Sequence, residues 1–443
     1  MNSENIYFKS PYFIQSILLN IKGYLIKTRR FNNDFIKYYI QFKKSNPDEF
    51  DYEQFRLFVK NAVKSEYWRE KFQEFKIDTE ANDLMTELDK LPILTKKDVL
   101  KNANEIKVNI DSEEVFKIQT SGSTGTPLQF YQTKTMENKQ WAIWWRYRNS
   151  HGLELNDWCA WFGGKSILNV KRTKPPFWHV NYFNRQLMFS AHHLSKDTVK
   201  FYVDKLKKSK IKWIHGYPSQ ISYLASLIIS ENLGTLNTVG VISFGAESLL
   251  DSQVEIINKV FNAKLIQHYG LAEGVANISQ GKDGELNVDQ DFSLVEFIPT
   301  DDTKESFKII GTNYNNLAFP LFRYDTGDLA SLKFDNAGKT KIISIDGRNE
   351  DFINLPNGIK LGRLDHIFKG VNNVLESQIY QSDINNVTLR VVKSNKYTDL
   401  DEYKLLEEAK KRFGKSINIR ISYLDKIEKK KSGKLKFVIS ELQ

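Results

Sequence analysis

The chain has 443 residues, with 64 Lys+Arg against 54 Asp+Glu (net charge +10), 41% hydrophobic residues and 13% aromatics. At ~100–200 residues per domain this length predicts two or three domains, and the apolar content excludes a disordered or fibrous protein. The single cysteine, Cys159, excludes an intramolecular disulfide or a thiolate cluster. No run approaches the ~18 apolar residues of a membrane span, and no signal-peptide pattern is present, so a cytoplasmic protein is expected.

The positive excess invites polyanions. It is spread along the chain, with peaks at 22–30 (Lys22, Lys27, Arg29, Arg30) and at 426–436, which holds six lysines. A nucleic-acid binder concentrates such charge on one face and carries a helix-turn-helix, zinc or RNA-binding signature. None is present, so no nucleic-acid partner is expected.

Residues 1–110 read as a mostly helical region. Ile14, Ile17, Leu18, Ile21 and Leu25 recur at helical spacing between basic residues. Such a helix usually packs its apolar stripe on the main domain. The alternative is a helix lying on a membrane surface, giving a peripheral location at the inner membrane face. Segments 50–75 and 77–103 predict further helices, with a turn at Leu91-Pro92.

From 111 to 347 the pattern is that of the main domain. β-rich runs at 115–119, 157–162, 211–215, 239–244 and 264–269 alternate with amphipathic helical runs at 195–208, 218–232 and 248–261. This predicts an α/β sandwich with largely parallel strands. Strand-like segments at 293–298, 305–311, 328–333 and 341–345 add an antiparallel β subdomain. Residues 348–443 read as a small α+β C-terminal lid domain. Its elements are a hairpin at 352–361, a helix at 363–369, strands at 374–381 and 387–393, a helix at 401–413 and a strand at 417–424. The fold class expected is α/β, with a large N-terminal domain and a small mobile lid.

Several apparent motifs fail. GGKS at 163–166 has Cys159 where a phosphate loop needs its first glycine. The histidines show no metal spacing. Cys159, in the apolar run DWCAWF, reads as packing. Trp141, Trp144, Trp145, Trp158 and Trp161 cluster closely enough to line an aromatic acyl pocket, but most are expected in the core.

The informative segment is TSGSTGTP, residues 120–127, after the β-rich FKIQ. Gly122 and Gly125 remove side-chain bulk, so backbone N–H groups and the hydroxyls of Ser121, Ser123 and Thr124 can converge on phosphate oxygens. Four later segments follow it in order before the closing one: SFGAES at 243–248, HYGLAEG at 268–274, LFRYDTGDLA at 321–330 and DGRNEDFI at 346–353, then SGKLKFV at 432–438. Together they resemble the adenylate-forming (AMP-binding, acyl-CoA synthetase-like) superfamily. The branch they resemble is phenylacetate–CoA ligase-like, with Leu128 where most of the superfamily has lysine. Within that branch the chain is similar to members found in capsular and other surface-polysaccharide gene clusters.

The resemblance implies ATP-dependent activation of a carboxylic acid as an acyl-adenylate with release of pyrophosphate, then transfer to coenzyme A. The alternative acceptor is a sugar amine or hydroxyl. A non-catalytic nucleotide-binding relative is the reading from a different class. On the same resemblance Thr120, Ser121, Gly122, Ser123, Thr124 and Gly125 grip the phosphates of ATP. Gly245, Ala246, Glu247, Tyr269 and Gly270 flank the adenine. Asp328 binds the ribose hydroxyls and Arg348 binds ribose or phosphate. Glu273 holds Mg²⁺, Asp351 is the hinge between domains, and Lys434 is the catalytic lysine at the α-phosphate. Ala272 lacks the hydroxyl that relatives carry before that glutamate.

Overall fold

The computed structural model describes residues 3–119, 128–163, 166–300, 306–334, 340–348, 353–356, 360–361, 364–368, 371, 373–414, 417–429 and 435–442. The chain packs as two units. One is built from 1–25, 155–267 and 347–443, the other from 26–154 and 268–346.

In the first unit the alternating pattern gives a parallel sheet. Cys159–Gly163 pairs with Gln186–Ser190 on one side and Trp213–Gly216 on the other. Val241–Phe244 follows, then the first residues of Lys264–Gly270. Helices Val199–Lys208, Pro218–Ser230 and Asp251–Val260 bury their apolar residues in one core with Phe162, Ile214, Ile242 and Phe244. The short strands Trp178–Asn181 and Gln186–Ser190 were not expected. They form a hairpin, and Trp178–Asn181 is the last strand of the sheet.

That edge strand explains the N-terminal helix, Tyr12–Arg30. Alternate carbonyls of an edge strand have no ladder partner. Here the Tyr12 hydroxyl donates to the Trp178 carbonyl at 2.7 Å, and Asn20 Nδ2 donates to the Val180 carbonyl at 2.8 Å. Ser16 Oγ pairs with His179 Nδ1 at 2.9 Å, and the Tyr12 ring stacks on His179 at 4.5 Å. The helix therefore packs on the body through its polar face, with Gln15 and Gly23 buried. Most of the expected apolar stripe faces solvent instead: Ile17 is 55%, Leu18 40%, Ile21 53% and Leu25 59% exposed, Ile14 is half-buried, and Phe13 beside them is 64% exposed.

The C-terminal part of this unit contains the expected hairpin, Ile353–Asn354 with Lys360–Leu361. Where a helix was expected at 363–369, the described residues Leu364–Phe368 form a short 3₁₀ helix. The four-stranded sheet runs Asn418–Tyr423, Asn386–Lys393, Val374–Asp383 and Val438–Ser440, the last strand parallel to its neighbour. Helix Asp399–Phe413 supplies Leu405, Ala409 and Phe413 to the core of this sheet.

The second unit carries the helices of the 26–150 region, most of them started by a side chain that accepts an otherwise orphaned N–H. Asn32, Asp51, Ser65, Thr95 and Thr133 do this. Its β part is antiparallel: Leu294–Pro299, Phe307–Thr312, Tyr324–Phe334, Thr340–Arg348, Leu286–Val288, Asn277–Gln280 and the last residues of Lys264–Gly270. Val115–Gln119 and Gln129–Thr133 form a separate hairpin. An aromatic core of Phe55, Phe58, Trp68, Phe72, Phe319 and Phe322 joins helices to strands.

Candidate active site

In the first unit the segment Gly245–Glu247 leaves the C-terminal end of strand Val241–Phe244. This end of a parallel sheet is where α/β folds place their ligand sites, because the following turns and helix N-termini gather there. Ala246 adopts φ 68°, a left-handed conformation that costs an L-residue roughly 1–2 kcal/mol over glycine. Glu247 then turns inward. Its Oε2 accepts from the Ser219 N–H at 3.1 Å, at the start of helix Pro218–Ser230, and its Oε1 accepts from the Leu435 N–H at 3.0 Å. Burial pushes the Glu247 carboxyl above its ordinary value of 4.5, against the opposing pull of these N–H donors. Glu247, expected beside the adenine, thus bridges a helix start to the residue after Lys434.

A second carboxylate holds the same C-terminal segment further back. Glu376 Oε1 meets Lys429 Nζ at 2.7 Å, and that ammonium also lies 5.2 Å from the Tyr223 ring. A cleft of about 50 Å³ between these anchors is lined by Ser219, Ser222, Gln253, Phe368 and Leu435. It has room for a few waters and none for a nucleotide.

In the second unit the T-G-D of LFRYDTGDLA is a β-bulge. Lys308 pairs with Leu329 and Ile310 with Asp325, so three residues stand opposite Ile309 alone. The Thr326 hydroxyl donates to the Ile309 carbonyl and accepts from the Asp328 N–H, which fixes the bulge. Gly327 has φ 72°, which explains glycine at that position. Asp328 is buried, and the Tyr269 hydroxyl donates to its Oδ2 at 2.8 Å. Two residues 59 positions apart, both expected at the nucleoside, are thereby brought together. Arg323 of the same segment is a clamp, bonding Glu296 and the carbonyls of Asp89 and Leu91.

Beneath Tyr269 lies a buried polar network that the sequence reading missed. His268 Nε2 and Trp144 Nε1 both meet Asn277 Oδ1, at 2.9 and 3.1 Å. Asn277 Nδ2 donates to Asp289 Oδ2 at 2.5 Å, and Arg146 bonds both Asp289 and Asp291. Burial depresses His268 to about 4, so its ring is neutral at neutral pH. A Cβ on Gly270 would lie 2.7 Å from the His268 ring, so the glycine allows this close approach. Of the five clustered tryptophans only Trp145 is fully buried.

Glu273 is buried, and its carbonyl accepts from Asn313 Nδ2 at 3.0 Å. Among the described residues no group of three His, Cys, Asp or Glu side chains could cage a metal. One carboxylate still fits Mg²⁺ that arrives on nucleotide phosphates and keeps several waters. Arg348 closes strand Thr340–Arg348. Thr120, Ser121, Gly122, Ser123, Thr124, Gly125, Asp351 and Lys434 lie outside the described residues. The hairpin pair Gln119–Gln129 flanks the first of these segments.

The structure matches 2-hydroxyisobutyryl-CoA ligase in the postadenylation state in complex with R3-HIB-AMP. The match covers 88% of each chain, with a TM-score of 0.64 at 16% identity. The chain has the adenylate-forming ligase fold. The same ligase in complex with 2-HIB-AMP matches over the same shares, again with a TM-score of 0.64. Within this adenylate-forming fold, residues 355–441 match the model of the CapK C-terminal domain. The whole chain is 27% identical to "Protein CapK" from Staphylococcus aureus over 457 residues, 99% of each chain.

Proposed function

We propose that the chain is an enzyme that activates a carboxylic acid with ATP. A carboxylate oxygen attacks the α-phosphorus of ATP. An acyl–O–P bond forms, the bond to the bridging oxygen breaks, and pyrophosphate leaves. The thiol of coenzyme A, as thiolate, then attacks the acyl carbon and AMP departs. The observation that carries this reading is Asp328, held on a rigid bulge with Tyr269 fixed on it. A carboxylate that can accept both hydroxyls of a ribose distinguishes a nucleotide site from a phosphate site. The match to a ligase crystallised with an acyl-AMP supports it.

In this reading residues 120–125 hold the phosphates and Gly245 and Ala246 line the adenine side. Lys434 neutralises charge developing on the α-phosphate, which is the largest catalytic need of such a reaction. Arg348 adds a cation near ribose or phosphate, and Asp351 is the point about which the C-terminal domain turns. Glu273 would hold Mg²⁺, which would supply charge neutralisation for the nucleotide phosphates. Glu247 seats the segment that follows Lys434 and so acts as a positioning residue.

A second reading changes the acceptor to a sugar amine or hydroxyl. The resemblance to members of surface-polysaccharide clusters, together with 27% identity to Protein CapK, favours keeping it. One experiment addresses both. Pyrophosphate release is measured over a panel of carboxylic acids, with coenzyme A, with amino sugars and with neither. Acid-dependent release stimulated by coenzyme A is expected; stimulation by a sugar alone would move the assignment to the second acceptor. Nucleotide-induced thermal protection without release for any acid would overturn the catalytic reading.

A further inference from the structure

We infer that the exposed face of the helix Tyr12–Arg30 is a docking surface for an anionic lipid membrane, independent of the proposed chemistry. An amphipathic helix on a soluble body normally turns its apolar stripe inward. This one does the reverse. Tyr12, Ser16 and Asn20 are spent on the edge strand, and Phe13, Ile17, Ile21 and Leu25 form an i, i+4 line in solvent, about 18 Å long at 1.5 Å per residue. Leu18 and Tyr24 widen it.

Neighbouring loops extend the surface at both ends. Tyr7 donates to the Ile167 carbonyl and Asn169 to the Phe8 carbonyl, and the Arg172 guanidinium sits 4.9 Å from the Tyr12 ring. This puts the loop 167–174 beside the helix start, with Val170, Lys171 and Lys174 exposed. At the other end Asn184 Nδ2 bonds the Gly23 carbonyl and Phe183 packs edge-on to Tyr24. Tyr182 and Arg185 are exposed there. Exposed tyrosine and phenylalanine beside lysine and arginine are what a bilayer interface accommodates, rings at headgroup depth and cations against phosphates.

Charge selects the occupant. Residues 5–33 contain no Asp or Glu, and neither do residues 158–196. Arg29 and Arg30 are paired with Glu137, which leaves Lys9, Lys22 and Lys27 on the first stretch beside Lys171, Arg172, Lys174 and Arg185 on the second. Two copies meeting through this face would bring cation against cation. An anionic lipid surface attracts each cation within a Debye length.

The test is co-sedimentation of the full chain with vesicles of phosphatidylcholine alone or with about 30% phosphatidylglycerol. The double variant Ile17→Glu/Ile21→Glu serves as comparison. Both positions are exposed, so folding is checked by an unchanged melting temperature. The native chain is expected to bind the anionic vesicles and to lose binding as salt rises. The variant should partition at least ~10-fold less, because two apolar side chains no longer enter the interface. Lys22→Glu/Lys171→Glu, which keeps the stripe, should lose binding to a similar extent. Equal partition of native and Ile17→Glu/Ile21→Glu chains would overturn the inference. So would an absence of vesicle binding, whether the chain stays monomeric or self-associates through this face.

Discussion

Glu247 offers the sharpest single test, because its two oxygens serve two different backbone N–H groups. Replacing it with alanine removes the acceptors of Ser219 and Leu435 together. Hydrogen bonds to a charged acceptor contribute about 1.5–3 kcal/mol each. Glu247 keeps part of its surface, so water can replace some of the loss. The net cost at the Leu435 anchor is then about 2 kcal/mol, or roughly 30-fold in the equilibrium for local opening. Amide hydrogen exchange reads this directly. The Leu435 amide should exchange ~30-fold faster in Glu247→Ala, and roughly fivefold faster in Glu247→Gln, which keeps one acceptor oxygen. Amides within Asn386–Lys393 should keep their protection, since that strand is paired on both sides. Unchanged protection of Leu435 in Glu247→Ala would refute the bridge. Loss of protection across the whole sheet would show that Glu247 supports global stability and not a local anchor.

Arg146→Met should destabilise the chain by about 3–5 kcal/mol in denaturant titration, because it strands Asp289 and Asp291 as buried charges. His268 links stability to pH. Its value falls from 6.5 unfolded to about 4 folded, so the unfolded chain takes up the proton first. The neutral ring's contribution is full above pH 6.5 and is lost as pH falls toward 4, about 3 kcal/mol in all. Glu247 runs the other way: its raised value gives stability below 4.5 that is lost as pH rises through the folded value. Melting temperatures of native chain and His268→Gln should therefore converge on acidification from pH 7 to pH 5.

Local patterns made much of the α/β framework legible. The run at 239–244 became Val241–Phe244 because a buried parallel strand is a short apolar run, and the run at 264–269 became Lys264–Gly270, where only Ile266 is buried. Trp178–Asn181 and Asn277–Gln280 escaped notice because four residues with polar members carry too little periodicity. The helix at 12–30 was legible as a helix, but not which face it would bury. Apolar spacing argues for one face, and the unpaired carbonyls of Trp178 and Val180 demanded the other. Tyr269 and Asp328 were expected at one nucleoside from their motifs, and the structure joins them by a hydrogen bond. The contact between Glu247 and Leu435 spans 188 positions and involves a backbone donor, so no side-chain identity advertised it.

The first unit is assembled from three separated stretches, and its main core includes Leu375, Val392 and Ile427 beside residues from 160–261. During synthesis at ~5–20 residues per second, the sheet strands at 178–190 therefore wait roughly 10–50 s for the last of these side chains to emerge. Over that interval helix Pro218–Ser230 has no Leu435 or Lys429 against it, and its apolar surface is open to chaperones. A chain halted before residue 375 would lack Leu375, Val392 and Ile427 and would leave that core open however well its second unit had formed.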